Sequence, residues 1–410
     1  LTIEAIMAFV HDPTALLEVS RIAQKRVRKG KEFLNSEMRN GRILYGVNTG
    51  FGPMASHIIN DEQLAQLQEN LIRSHATGMG EPIPDKYVLA TMIVRLNTLA
   101  KGFSGVSLEL IKQFETFINH RILPIIPEHG AVGTSGDLVQ LGHIALALIG
   151  EGEVRYRGER KPTADVLAKL GIAPHILHPK EGLALINGTS AMTGVATHVT
   201  AHGNRLLSIG VRLGAMALEI VNAFDDSISE HLQNIRPHKG QRIIAAALRS
   251  IVASSKLMKD RESLKKGREI KGEVEKISEE VQQVYSLRCM PQILGPIFDT
   301  LMKTRGDVQT EMNSATDNPI IEWKHKKFLH GGNFHGDYIA TAMDQLKAAM
   351  VKLTMLAERR TNFFLHDAIN KRFKPFLNLK TPGLTLGLQG LQFVATSTTS
   401  QSQSLAFPHT

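Results

Sequence analysis

Apolar residues at helical spacing recur along this chain, and that periodicity constrains its fold more than any other feature. Leu346, Met350, Leu353 and Ala357 fall on one helix face, and Glu358-Arg359-Arg360 closes the segment with charge. Leu64, Leu67 and Leu71 share a face in the same way, behind Asn60-Asp61-Glu62-Gln63, which has the form of a capping box. Leu138, Leu141, Ala145 and Leu148 make a third stripe. Alternating patterns are short and few: Glu153 to Arg157 before a Gly158 turn, and Pro319 to Trp323. The expected fold is therefore mainly α, a long-helix bundle core with a smaller N-terminal region that carries short β-hairpins.

No fixed-period repeat or low-complexity tract marks a boundary, and residues Pro162 to His178 offer the nearest hinge. The provisional division is residues 1–180 and residues 181–410. Between Lys256 and Val281 the pattern reads as a charged helical hairpin or surface arm, broken by Gly267 and Gly272, with Val274, Ile277 and Val281 as its apolar stripe.

Composition excludes several classes of function. With 410 residues, 42% hydrophobic and 21% charged, the chain is an ordinary folded globular one. No apolar run approaches the roughly 20 residues of a membrane span. Leu1-Thr2-Ile3-Glu4-Ala5 lacks the basic region and apolar core of a secretory signal, and a lone Cys289 supports neither an internal disulfide nor a cysteine-rich metal site. A cytoplasmic setting is expected. The formal charge of +9 suits either nucleic acid or a carboxylate substrate. Lys and Arg are interspersed with Glu from Lys256 to Glu280, and one Trp and five Tyr give little aromatic interleaving, so no nucleic-acid partner is expected. Phosphate-loop, His-Glu-x-x-His, Gly-x-Ser-x-Gly and dinucleotide signatures are absent. His330, His335 and Asp337 lack helical ligand spacing, so no metal is expected either.

The chemistry lies elsewhere. Glu128 to Asp137 is a glycine-dense loop that runs into the stripe at Leu138, which sets Thr134-Ser135-Gly136 at a helix N-terminus. Taken alone, that is an ordinary Ser or Asp cap. Four further blocks accompany it: Leu44-Tyr45-Gly46-Val47-Asn48-Thr49-Gly50-Phe51-Gly52-Pro53, Glu181 to Thr189, Gln282 to Cys289 with its Tyr-Ser-Leu-Arg core, and His330-Gly331-Gly332-Asn333-Phe334-His335-Gly336. In these blocks and their order the chain resembles the histidine and aromatic amino-acid ammonia-lyases and the related aminomutases.

The resemblance implies that Thr134, Ser135 and Gly136 condense to a 4-methylidene-imidazol-5-one, with no added metal or nucleotide. The Gly136 nitrogen would attack the Thr134 carbonyl, and Ser135 would lose its hydroxyl. Most of the family has alanine where Thr134 stands, but that position contributes only its carbonyl. By the same resemblance Asn187, Tyr285 and Phe334 surround the ring, Tyr45 is the base that removes the β-proton, and Arg288 grips the substrate carboxylate through its bidentate fork. A phenol acting as a base calls for a cationic pocket. Substrate contacts fall to Ser74, His75, Gln282, Asn313 and Gln401. A homotetramer is implied, with three chains sharing each site.

His75 stands where phenylalanine-directed relatives carry an apolar residue, so a hydrogen bond to a phenol or an imidazole is expected. Asn187-Gly188-Thr189-Ser190, the stretch Phe334 to Tyr338 and the stretch Gly387 to Phe393 resemble bacterial tyrosine ammonia-lyases, which favours L-tyrosine as substrate and trans-4-hydroxycinnamate as product. Gln401 departs from the family's usual glutamate; a neutral amide cannot pair with an imidazolium, which disfavours histidine but leaves aminomutase activity open. Histidine ammonia-lyase, a tyrosine or phenylalanine 2,3-aminomutase, and an inactive scaffold of the same fold are the alternatives. The family's C-terminal helices are absent from this chain.

Overall fold

A computed structural model of the chain describes residues 1–264, 272–277, 280–381 and 383–410. Helices dominate. Those that matter for the site are α1 (Leu64–His75), α2 (Asp85–Ala100), α3 (Leu138–Leu148), α4 (Glu181–Ile186), α5 (Ser190–Ile220), α6 (Met290–Met312), α7 (Asp337–Leu365) and α8 (Gln389–Leu405). Among the described residues no helix is long and apolar enough to cross a membrane.

The three apolar stripes all lie on helices. Leu64 and Leu71 are buried on α1, and Leu141, Ala145 and Leu148 are wholly buried on α3. The capping box does not form: Asp61–Gln63 is a 3-10 turn, and the Asn60 side chain caps nothing. The hairpin read from Glu153 is present as Glu153–Tyr156 against Glu159–Pro162, and Ile320–Glu322 pairs with Lys327–Leu329. A third pairing, Met79–Pro82 with Pro127–His129, joins segments that carry no alternating signal. Of the arm between residues 256 and 281, Gly267 lies outside the described residues. The part described forms no α-helix, only the 3-10 turn Arg261–Ser263, and Val274, Ile277 and Val281 are exposed rather than packed.

The chain divides into two compact units, residues 1–201 with 305–341 and residues 202–304 with 342–410. Residue 180, where the sequence suggests a division, lies inside the first unit. The reason is physical: α4 packs on α1 and α3, and buried charges anchor its start. Lys180 Nζ meets Asp317 at 2.7 Å with both side chains fully buried, and Glu181 accepts from the backbone N–H of Ser107 at 2.7 Å and of His178 at 2.9 Å. The second unit has its own apolar core, built from α5 residues such as Leu207 and Leu218, α6 residues such as Leu294 and Leu301, and Leu346, Leu356 and Phe363 of α7.

Candidate active site

The loop before α3 is pinned from several directions. The Gly136 N–H donates to the Gly133 carbonyl at 3.1 Å, closing a turn with Thr134 and Ser135 at its centre. Gly133 and Gly136 take φ values of +77° and +79°, where L side chains are strained. A Cβ on Gly136 would also collide with the Gly188 carbonyl and come within 2.8 Å of the Phe334 carbonyl oxygen. Asn187 Nδ2 donates to the Ser135 carbonyl at 3.0 Å, the Asp137 N–H donates to Gly188 at 2.8 Å, and the Gly336 N–H donates to Gly133 at 3.1 Å.

Asp137 is not a cap of its own helix. Its Oδ2 accepts from the Ala191 and Met192 N–H groups at 2.7 and 2.9 Å, so it caps α5 instead. Burial pushes its carboxyl up to about 7, against the pull of those two N–H groups and of Arg95.

Asn187 is itself held by a residue that the sequence reading passed over. Arg95 is wholly buried on α2, and its guanidinium donates to the carbonyls of Ala184, Asn187 (2.9 Å) and Thr316 (3.2 Å). Burial lowers its pKa to about 10, opposed by Asp317 and Asp137. The signal was available: Arg95 is the only charged residue in the run Val88 to Leu96, which is apolar but for Thr91.

A cavity of about 590 Å³ opens over Ser135. Tyr45, Phe51, Ser74, His75, Asn187 and Phe334 line it, with Leu67, Leu71, Leu138, Leu183 and Ile186 as its apolar wall. Gly136 and Thr134 flank Ser135 in the loop. Tyr45 Oη accepts from the Gly52 N–H at 3.2 Å. The cationic surroundings expected of this phenol are not supplied by the lining, which holds no lysine or arginine among the described residues.

His75 Nδ1 lies 2.9 Å from the Leu71 carbonyl and 3.0 Å from Ser74 Oγ. A carbonyl only accepts, so Nδ1 carries the proton, and in the neutral ring Nε2 is left as an acceptor. Ser74 is occupied locally, since its hydroxyl donates to the Leu71 carbonyl at 2.8 Å.

Other expected site residues are placed elsewhere. The Asn313 carboxamide is bonded to the backbone of Leu1 and Gln309, each at 2.8 Å, and does not line the cavity; Asn318 does. Gln282, Tyr285, Arg288 and Gln401 belong to the second unit, whereas the cavity is lined from the first. There the Arg288 guanidinium stacks 4.5 Å from the Tyr285 ring centre. Its Nε donates to the Gln283 carbonyl at 3.0 Å, and its Nη2 donates to the Gln282 amide oxygen at 2.7 Å. Tyr285 is 71% exposed, and Gln401 is exposed on α8. No metal-binding group of three or more His, Cys, Asp or Glu occurs among the described residues.

Comparison with known proteins places the chain in a family. The aromatic amino acid lyase family matches residues 1–410. A tyrosine 2,3-aminomutase of Myxococcus sp. is 42% identical over 369 residues, covering 89% of this chain and 70% of that protein. A histidine ammonia-lyase of Bacillus velezensis is 39% identical, covering 96% of this chain and 73% of that protein. The solved phenylalanine aminomutase of Pantoea agglomerans superposes with a TM-score of 0.96 at 34% identity, covering all of this chain and 79% of that one. The chain belongs to the aromatic amino acid lyase family, enzymes that include ammonia-lyases and aminomutases.

Proposed function

We propose that this enzyme eliminates ammonia from an aromatic L-amino acid, L-tyrosine, to give trans-4-hydroxycinnamate, with a methylideneimidazolone made from Thr134-Ser135-Gly136. The observation that carries the reading is the convergence of Tyr45, His75, Asn187 and Phe334 on one cavity over Ser135. The residues present fit such a ring. Gly136 adopts a backbone that only glycine takes without strain, and the Ser135 carbonyl, which becomes the ring carbonyl, already receives a donor from Asn187.

The ring supplies the electrophile that turns the substrate amine into a better leaving group. Everything else is work for ordinary side chains. Asn187 Nδ2 steadies negative charge on the Ser135 carbonyl oxygen. Tyr45 Oη acts as phenolate, favoured by the Gly52 N–H that faces it, and takes the β-proton to become the neutral phenol. His75 Nε2 accepts from the substrate phenol, a bond that phenylalanine cannot make. Phe334 and the leucines exclude water around the ring.

Arg288 supplies the carboxylate grip, and by family resemblance its Tyr285–Arg288 segment is brought to the site by a neighbouring chain of a homotetramer. Mixing an inactive Tyr45→Phe chain with an inactive Arg288→Ala chain tests this: restored activity supports shared sites, and none from a co-assembled mixture refutes them.

A second reading, a 2,3-aminomutase, is favoured by the tyrosine and phenylalanine aminomutases among the relatives. Incubation of the purified protein with L-tyrosine, L-histidine and L-phenylalanine, with ultraviolet spectra for arylacrylates and chromatography for β-amino acids, separates the readings. Accumulation of 4-hydroxycinnamate supports the lyase, β-tyrosine supports the aminomutase, and urocanate as the dominant product refutes both.

A further inference from the structure

One pair of residues near the loop has no part in the elimination itself. His335 Nδ1 lies 2.8 Å from the Thr134 carbonyl oxygen, and its Nε2 lies 3.1 Å from Asp337 Oδ2. Since the carbonyl only accepts, Nδ1 must be the protonated nitrogen, and the Asp337 carboxylate facing Nε2 favours a proton there too. Both contacts raise the imidazole pKa, the Thr134 hydrogen bond most.

We propose that His335, oriented by Asp337, is a catalytic residue for making the cofactor: it polarises the Thr134 carbonyl for attack by the Gly136 nitrogen. The inference rests on the self-made ring proposed above. The Thr134 oxygen is the atom on which charge develops. As the Gly136 N to Thr134 C bond forms, the carbonyl π pair moves onto oxygen, where the His335 N–H receives it, and the Gly136 amide proton is delivered to that oxygen. The C–O bond then breaks, and the oxygen leaves as water with the Ser135 amide proton, giving the C=N bond of the ring. Loss of the Ser135 hydroxyl with its Cα proton releases a second water. No oxidant or metal enters this balance. A donor placed before the reaction is worth most at such a site, because it does not reorganise when charge appears.

What His335 contributes is a hydrogen-bond donor, so the test separates donor from non-donor replacements. The full chain is synthesised cell-free and sampled over time for the mass loss of two waters and for ring absorbance, with circular dichroism as the folding control. Wild type and His335→Gln should close the ring at similar rates. His335→Leu and His335→Glu should both slow closure by roughly a hundredfold, the usual cost of one such donor, and Asp337→Asn should slow it less. His335 is about half exposed, so these variants should fold, and the two non-donors differ enough in polarity to guard against one failing. Closure at the wild-type rate in a folded non-donor variant overturns the role of His335. Absence of the two-water loss in wild type overturns the self-made cofactor instead.

Discussion

Two loops border the cavity, and they are held in opposite ways. The loop from Gly133 to Asp137 is tied by groups remote in sequence: Asn187, Gly188, Ala191, Met192, His335 and Gly336. The loop from Tyr45 to Ile58 is tied mainly by itself. The Leu44 N–H donates to Asn48, the Gly46 N–H to Thr49 and the Gly50 N–H to His57, and the reach outward is Gln68 Nε2 on the Gly46 carbonyl at 3.3 Å. Met54 and Ile58 stay exposed. A loop that performs chemistry on its own backbone needs every atom fixed. A loop that brings a base to a substrate must also let that substrate in, and local bonding makes its displacement cheap.

The sharpest way to break this comparison is Gly136→Ala, since the added methyl meets the Gly188 and Phe334 carbonyls at positive φ. Ring absorbance and activity should both vanish, with about 1–3 kcal/mol of stability lost. Near-normal absorbance would mean that the loop is not fixed as described. Tyr45→Phe should cut kcat by roughly 10²–10⁴-fold while ring absorbance and Tm stay at wild-type values; a matching fall in Tm would make its loop as integral as the other.

Asn187→Ala should lower kcat by roughly 10²–10³-fold with a modest change in KM, and a KM-only effect would remove Asn187 from the charge-bearing role. His75→Phe should move the ratio of kcat/KM values toward phenylalanine by roughly tenfold or more. An unchanged ratio would end the argument from Nε2.

The smallest effect concerns pH. Asp137 has its folded-state pKa raised to about 7, above the ordinary carboxylate value, so the folded protein holds a proton there that the unfolded chain releases. Stability from this group is therefore present at low pH and is lost as pH rises from about 4 through about 7. Denaturant titrations across that window should show wild type losing stability relative to Asp137→Asn. Parallel curves would show that Asp137 is charged throughout.

The contrast between the loops also explains how much the sequence disclosed. Helices α1, α3 and α7 were legible because Leu71, Leu141 and Leu346 repeat at local intervals, and Tyr45 with its neighbours formed one readable block. Asp137 was readable as a cap but not as the cap of α5, because its target lies 54 residues away. The strand pairing of Met79–Pro82 with Pro127–His129, the buried Lys180–Asp317 pair and the place of Asn313 beside Leu1 likewise depend on distant partners. His335 and Asp337 were readable as poor metal ligands and as members of a family-like stretch, but not as neighbours of Thr134. Their bearing on Thr134 is visible only once a sequence separation of 201 residues has been closed by folding.

That separation has a temporal meaning. A ribosome releases Thr134, Ser135 and Gly136 long before Asn187 and longer still before His335, so a nascent chain holds all the atoms of the proposed ring without the surroundings that would close it. Closure of the proposed ring would then date the moment when both ends of the first unit have met, and a chain that carried the ring would have passed through its native contacts at least once.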